Sequence, residues 1–520
     1  MQYVVIRVDA STAIGTGHLK RCLSLAEALK TAGAQVQFVV RAIDAVAPQV
    51  LHATDWPVRW LPVPTSPCDL GASPDLPPCA GWAGVSWEQD ARETAAALGE
   101  HPPDWLILDH YAFDARWHRS VRNALGCKLL VIDDTADRAI DADVVLDHNW
   151  HANHRQKYQG RLQREPRWLV GPRYALLSPA YRDAPRYVFH AEVRSIGIFM
   201  GGTDLGGISA KVLSACRQGG FTGEIEVVST SANPHLNELR AACADSPGTQ
   251  LTLDQPDLTS FFARHDLQIG AGGGATWERC CIGVPSMGLV LSANQSVVVP
   301  LLDRAGILRA ARLNSTAGDD TPLFPWVLRE LIQGTKTRRQ MADRAAALVD
   351  GRGAQRVALS LLNDTLQLRP VRMEDATLLH AWRNHPSVRA VSGNPDAITF
   401  EDHHRWLQHA LNTDGRWLFI AQVGALPVGS IRFDQLSSQE VDVSLYLDPD
   451  LSGLGLGARM LLAGELAMHR NLGADFRVAA SVMPGNAASQ RMFESCRYHG
   501  GPLSYQKLVA TQPTVNPSRP

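Results

Sequence analysis

Short apolar runs alternate with helix-period stretches from Met1 to about residue 350, and this alternation limits the fold more than any other feature. A short apolar run fits a strand buried on both faces, and the amphipathic stretch after it fits the helix that returns the chain across the sheet. Strands are expected at YVVIRVD (3–9), VQFVV (36–40), WLILDH (105–110), KLLVIDD (128–134) and DVVLDHN (143–149). A second set is expected at SIGIFMGG (195–202), EIEVVST (224–230), DLQIGAGG (266–273) and PSMGLVL (285–291). The two sets predict an α/β chain with two doubly wound, Rossmann-like halves, residues 1–165 and 185–350, joined across a crevice. Between them HANHRQKYQGRLQREPRW (151–168) reads as a polar segment with no core, and the Pro-rich stretch from Trp56 to Pro78 reads as surface loop.

A charged helical stretch runs from Thr335 to Asp364, interrupted at Gly351 and Gly353, and after it the pattern changes. LQLRPV (366–371), a helix opening at Glu374, and the runs RWLFIAQV (416–423), LPVGSIRFD (426–434) and EVDVSLYLD (440–448) describe hairpin-connected strands. A separate α+β domain is therefore expected over 365–510, with 511–520 a frayed tail.

At 520 residues the chain exceeds what one core supports. Its formal net charge of -2, with Lys and Arg dispersed, argues against a nucleic-acid partner. No apolar stretch approaches the ~20 residues of a membrane span, and the N-terminal strand lacks the features of a signal peptide. Nine cysteines without a CxxC pair, Cys280 and Cys281 being the only close ones, fit free thiols in a reducing compartment, so a cytoplasmic location is expected. No metal-ligand cluster is evident, and no metal is expected.

The chemistry concentrates at two glycine-rich junctions. In AIGTGHLKRCLSLAEAL (13–29), Gly15 and Gly17 link a strand to a helix that carries His18 in its first turn. A dinucleotide fingerprint is a poor fit, because its third glycine would fall at Lys20 and no acidic residue ends the next strand. A helix N-terminus disfavours a charged imidazole, and a neutral ring can take a proton from water. The same pattern also suits a capping or packing histidine. In IGAGGGATWERCCIGVPSMGLVLSANQ (269–295), Gly272, Gly273 and Gly274 precede a helix starting near Ala275, a junction whose amides cradle phosphate. Glu278, one turn in, is placed to accept hydrogen bonds from ribose hydroxyls, or to complement the helix dipole.

GGGATWERCCIGVPSMGLVLSANQ resembles the nucleotide-binding stretch of GT-B enzymes, the murein-pathway N-acetylglucosaminyltransferases among them. RVDASTAIGTGHLKRCLSLAEAL, ILDHYAFD (107–114), GPRYALLSP (171–179) and FMGGTD (199–204) resemble the UDP-sugar hydrolases of pseudaminic acid biosynthesis. The resemblance covers residues 1–350. It implies that His18 is the base and that Tyr111 and Asn294 line the sugar site. It also implies a UDP site at Gly272–Gly274, Ala275 and Glu278. Asp9, Gly15, Gly17, Asp109, Gly201, Gly202 and Gln295 are expected to line the UDP-sugar crevice, and Asp9, Asp109 and His110 are candidates to orient His18 or the sugar. UDP is a good leaving group, so a single base aimed at water suffices, without the carboxylic acid that ordinary glycosidases need.

VDVSLYLDPDLSGLGLGARMLL (441–462) is again strand, glycine loop and helix, with Ser452, Gly453, Gly455 and Gly457 in the loop. It resembles the acetyl-CoA motif of GNAT N-acetyltransferases, and VMPGNAASQRMFES (482–495) resembles that family's later motif through Asn486 and Ser489. The likeness spans 366–505 and implies a loop that binds pyrophosphate. The strand Ser444–Leu447, with Leu445, Tyr446 and Leu447, would pair with pantetheine. Two departures stand out. Ser452 replaces the usual basic or amide residue, and Phe493 stands where many relatives carry a tyrosine acid for the CoA thiolate. Tyr446, Tyr498 or a water remains for that role.

The two resemblances are mutually supportive, because in pseudaminic acid synthesis a GNAT enzyme acetylates the UDP-linked 4-amino sugar directly before UDP is removed. The expectation is a bifunctional enzyme using a UDP-linked amino sugar and acetyl-CoA. The rivals are a GT-B glycosyltransferase, a legionaminic-type hydrolase whose GNAT domain only binds CoA, and a nucleotide-sugar sensor.

Overall fold

The computed structural model describes residues 1–64, 75–292, 295–313, 321–501 and 503–510. They pack as two units: residues 1–28 and 35–357 form one, and residues 29–34 with the chain from Ala358 onward form the other.

In the first unit β1 (Tyr3–Val8), β2 (Gln35–Arg41), β3 (Val58–Leu61), β4 (Trp105–Asp109), β5 (Lys128–Ile132), β6 (Val144–Asp147) and β7 (Arg167–Val170) form one sheet. Its order is β3-β2-β1-β4-β5-β6-β7, and every pairing is parallel. A second parallel sheet contains β8 (Ser195–Phe199), β9 (Glu224–Ser229), β10 (Thr249–Leu253), β11 (Leu267–Ala271), β12 (Ser286–Leu289) and β13 (Arg309–Ala311), in the order β10-β9-β8-β11-β12-β13. Strand order reverses between β1 and β4 and between β8 and β11. Ligand crevices form at the carboxyl ends of strands flanking such reversals. His18, Asp109 and the Gly272–Gly274 turn all follow those strand ends.

Two expectations need correction. The Pro-rich stretch is not all loop, since Val58–Leu61 pairs with β2 as an edge strand, while residues 65–74 lie outside the described ones. The 151–168 segment is not coreless: Tyr158 is fully buried, its hydroxyl donating to Asp133 O at 2.9 Å, and Arg167 opens β7. Polar spacing hid both, because edge strands need only one apolar face. The expected frayed tail, 511–520, lies outside the described residues.

Arg7, anomalous in an apolar strand, is buried together with its partners. It donates to Asp9 Oδ1 at 2.5 Å and to Asp90 Oδ2 at 2.6 Å, and Arg41 also reaches Asp90, at 2.8 Å. Buried charges survive only when paired and hydrogen-bonded.

The second unit contains β14 (Gln367–Pro370), β15 (Arg416–Val423), β16 (Leu426–Ser437), β17 (Glu440–Leu447), β18 (Phe476–Ser481), β19 (His499–Gly500) and β20 (Ser504–Val509). Their order is β14-β15-β16-β17-β18-β20-β19, antiparallel except for β17 with β18. That parallel ladder runs only from Glu440↔Arg477 to Asp442↔Ala479. Beyond it β17 continues against β16 as far as Leu447, so its other edge opens. Eight cysteines are described, all free thiols and all but Cys79 buried. Among the described residues no helix is long and apolar enough to cross a membrane.

Candidate functional site

The Gly17–Thr31 helix begins where expected, with His18 as its second residue. Gly15 supplies the turn at φ +78°, a conformation that suits glycine. Asp109 ends β4, and its Oδ1 stands 2.6 Å from His18 Nδ1. Arg21, one helical turn beyond His18, clamps the same carboxylate through Nε at 2.6 Å and Nη2 at 2.5 Å. Burial alone would raise the Asp109 carboxyl, but the Arg21 guanidinium, with hydrogen bonds from Arg21 and His18, outweighs it and holds it well below the ordinary carboxylate range. An ionised carboxylate only accepts hydrogen bonds, so His18 donates to it through Nδ1, and Nε2 is the ring nitrogen left for another partner.

Tyr111, two residues after Asp109, meets the His18 ring edge-on at a centroid distance of 4.6 Å and stacks on Trp82 at 5.9 Å. Its hydroxyl donates to Asp134 Oδ1. Burial, with Asp134 beside it, drives the phenol well above its usual value, so it stays neutral. His148, which follows β6, is buried against this group. Burial, reinforced by Arg21, pushes its imidazole down to about 4, so it is uncharged at neutral pH.

Three sequence candidates divide differently from expectation. Asp109 orients His18. Asp9 and His110 do not: Asp9 is held by Arg7 and by the Arg41 amide at 2.8 Å, and His110 Nε2 faces Asp9 at 3.2 Å. Both belong to the buried network beneath the site. Arg21, Asp134 and Trp82 escaped the sequence reading. The i, i+3 spacing of His18 and Arg21 was the available signal, and Asp134 ends the run KLLVIDD.

In the second half Gly274 caps the Ala275–Ile282 helix without a side-chain bond; the Thr276 and Trp277 amides donate to Gly273 O at 2.9 Å and Gly274 O at 3.0 Å, which leaves the amides of Gly274 and Ala275 as the donors facing outward. The space beside Gly274 is open, and Gly273 is bordered only by Gln295 Nε2, 3.6 Å from where a Cβ would sit. Gly272 is glycine for packing, since its Cβ would lie 2.1 Å from Val299 Cγ2. Gln295 Oε1 accepts from the Gly272 amide at 3.2 Å and the Leu291 amide at 2.9 Å, bracing the turn. Glu278 is partly buried and accepts from Tyr181 Oη at 2.9 Å. Burial raises its carboxyl against that hydrogen bond and against the charge of Lys20 on the His18 helix. After β8, Gly201 turns at φ +99° and Gly202 packs on Thr230, whose hydroxyl donates to Gly202 O at 2.6 Å. Asn294 lies outside the described residues.

In the second unit Leu445, Tyr446 and Leu447 occupy the part of β17 whose outer edge is open. Ser452 and Gly453 (φ +79°) lead to Gly455 (φ +74°), which caps the Leu456–Leu472 helix. The loop is two residues shorter than expected, since the helix starts at Leu456. Gly457 lies inside the helix, where a Cβ would sit 2.9 Å from Met492 Sδ. Asn363 Nδ2 braces the loop through Leu454 O at 3.3 Å, a contact that no local motif signals. Asn486 caps the Ala487–Ser495 helix by accepting from the Ser489 amide at 3.1 Å. Phe493 is core, stacked on Tyr505 at 5.6 Å. Among the described residues no group of three or more His, Cys, Asp or Glu could hold a metal ion.

A unit of two parallel sheets with a histidine–carboxylate pair and a glycine-turn helix, followed by a mixed sheet with one opened strand edge, defines a two-part α/β protein. Residues 365–499 match the family model "Acetyltransferase (GNAT) domain". The N-terminal part is 23% identical over 261 residues to the spore coat polysaccharide biosynthesis protein SpsG of Bacillus subtilis, covering 50% of this chain and 76% of that protein. It is also 23% identical over 259 residues to the UDP-2,4-diacetamido-2,4,6-trideoxy-beta-L-altropyranose hydrolase of Campylobacter jejuni, covering 50% of this chain and 80% of the relative. The acetyltransferase PseH of Campylobacter jejuni is 27% identical over 82 residues, 16% of this chain and 52% of PseH.

Proposed function

We propose that the first unit hydrolyses a UDP-linked 2,4-diacetamido-2,4,6-trideoxy-L-altrose to the free sugar and UDP. The GNAT unit performs the preceding step, acetylating the 4-amino group of the UDP-linked sugar with acetyl-CoA. One observation carries the hydrolytic reading: Asp109 holds His18 by Nδ1 at the carboxyl ends of β1 and β4, so that the neutral ring offers Nε2 to water. Water held by Nε2 attacks the anomeric carbon and gives its proton to the imidazole. The C1–O bond to UDP breaks, and the diphosphate departs with its charge met by the first-turn amides at Gly274 and Ala275. Attack opposite the leaving group inverts the anomeric centre. Glu278 is placed to accept from the ribose hydroxyls, and Tyr111 to border the sugar. The Campylobacter hydrolase and PseH likenesses support the same pair of reactions.

The test is NMR of the anomeric signal while the full chain is incubated with the UDP-sugar and no acceptor. UDP release with inversion is expected, and H18N or H18L is expected to abolish turnover while UDP still binds. A strict requirement for an alcohol acceptor would make the unit a glycosyltransferase, and unchanged turnover in H18N would remove His18 from the mechanism. For the GNAT unit, thiol release from acetyl-CoA with a UDP-4-amino sugar is expected, and no release across a range of amines would leave it a binder.

A further inference from the structure

The helix after the glycine turn is wired to His18. Trp277, buried between Thr276 and Glu278, donates through Nε1 to Asn149 Oδ1 at 3.2 Å. Asn149 Nδ2 donates to Asp134 Oδ2 at 3.1 Å. Asp134 takes the Tyr111 hydroxyl on its other oxygen, and Arg21 Nη1 lies 3.8 Å from Oδ2. Arg21 then clamps Asp109, which holds His18 Nδ1.

The polarity of each link is fixed by residue type. Indole N–H only donates and carboxylates only accept, so the Asn149 amide has one orientation that satisfies both neighbours. The Asn149 backbone is anchored as well: its main-chain N–H donates to Asp147 Oδ1 at 3.0 Å, and its main-chain carbonyl lies 3.1 Å from His154 Nε2. Lys157 further ties Asp134 O (2.8 Å) to Asp147 Oδ2 (2.6 Å). A side chain held this firmly transmits displacement rather than absorbing it.

We propose that Trp277 and Asn149 are positioning residues, coupling the helix that follows the glycine turn to the Asp134–Tyr111–Arg21 group and thereby to the orientation of His18. Neither touches the reacting atoms. Nucleotide seated on the first turn of that helix sets the place of Trp277, and the chain of hydrogen bonds sets the imidazole. This rests on the hydrolytic reading above, and it assigns to the indole N–H a role that packing alone does not need.

The experiment is a double-mutant cycle on the full chain, with Trp277→Phe, which keeps an aromatic ring and removes the N–H, and Tyr111→Phe, which removes the hydroxyl at the far side of Asp134. Trp277→Phe is expected to lower kcat about 10²-fold, the scale of an ångström-size misplacement, with an unchanged Kd for UDP. The effect should shrink in the Tyr111→Phe background, because the two changes break one chain. Additive effects would overturn the proposal, as would a fall in UDP affinity that accounts for the whole loss. A second reading uses ¹⁵N NMR of His18. UDP should shift the Nδ1 resonance in the wild type and leave it unmoved in Trp277→Phe, and equal shifts in both would overturn the coupling. Should the wild type release no UDP from the sugar nucleotide, the hydrolytic reading fails, while the imidazole shift still decides the coupling.

Discussion

His18 Nδ1 and Asp109 Oδ1 stand 2.6 Å apart, and the same carboxylate is gripped on both oxygens by Arg21. The pair commits Nδ1–H to the carboxylate, so Nε2 is the nitrogen through which a neutral ring would take a proton from water. In Asp109→Asn the side-chain amide can turn an N–H toward Nδ1, which favours the opposite tautomer. We expect kcat for UDP-sugar hydrolysis to fall about 10²–10⁴-fold, as when the orienting carboxylate of a triad is neutralised. Steady-state kinetics beside a UDP titration checks this, and a fall in UDP affinity alone would contradict it.

Gly272 and Gly274 are two residues apart and are glycine for different reasons. A Cβ on Gly272 would strike Val299 Cγ2 at 2.1 Å, so Gly272→Ala should cost about 1–3 kcal/mol of stability by overpacking. Gly274 has helical φ, -53°, and open space beside it, so Gly274→Ala should leave the melting temperature unchanged. It should weaken UDP binding by blocking backbone approach to the diphosphate. Thermal melts with and without UDP separate the two effects.

The buried network under β1 makes the fold acid-sensitive. Asp9, Asp90 and Asp109 are each held below the ordinary carboxylate range, because Arg7 and Arg21 overcome the effect of burial. A depressed folded pKa adds stability that is present above the unfolded value, near 4, and is lost as pH falls toward the folded value. Denaturant midpoints should therefore drop below about pH 4 through these carboxylates, after an earlier decline that starts below about pH 6.5, where the buried His148 would take a proton in the unfolded chain but not in the folded one. Arg7→Met leaves Asp9 and Asp90 short of their shared cation and should cost about 3–5 kcal/mol at pH 7, less at pH 3.

Sequence made some of this visible and hid the rest for identifiable reasons. Long apolar runs such as YVVIRV and WLILD declare central parallel strands, because both faces are covered. Edge strands such as TQLTL and the three-residue RAA do not, since a short half-exposed strand has no distinctive composition. The glycine junctions were legible because a strand–turn–helix needs those backbone conformations. Asp109 and Tyr111 were legible through the ILDHYAFD likeness. Asp9 was expected at the UDP-sugar crevice from its place at a strand end, and only the structure reveals that Arg7 and the Arg41 amide hold it. Asn149 and Trp277, 128 positions apart in the chain, carry no local signal of their meeting.

The acid for the departing CoA thiolate can be assigned between two tyrosines. Tyr498 is buried, and its hydroxyl donates to Glu465 Oε1 at 3.0 Å beside Lys507, which reaches Oε2 at 2.6 Å. That phenol is committed to the core. Tyr446 lies on the part of β17 that has left β18, where a thioester paired along the strand would run. Burial pushes its phenol up to about 12, against a hydrogen bond with Ser430, so it keeps its proton at neutral pH. As the amine nitrogen bonds to the acetyl carbon and the C–S bond breaks, Tyr446 can protonate the sulfur while the amine releases a proton to solvent. Tyr446→Phe should lower acetyl transfer about 10²–10⁴-fold, the range of general acid catalysis, with CoA affinity retained. Tyr498→Phe should leave turnover intact and cost about 1–2 kcal/mol, because Glu465 keeps Lys507 but loses one donor. Thiol-release kinetics and melting curves on the two variants distinguish these roles, and equal turnover in both would leave the thiolate to depart unassisted.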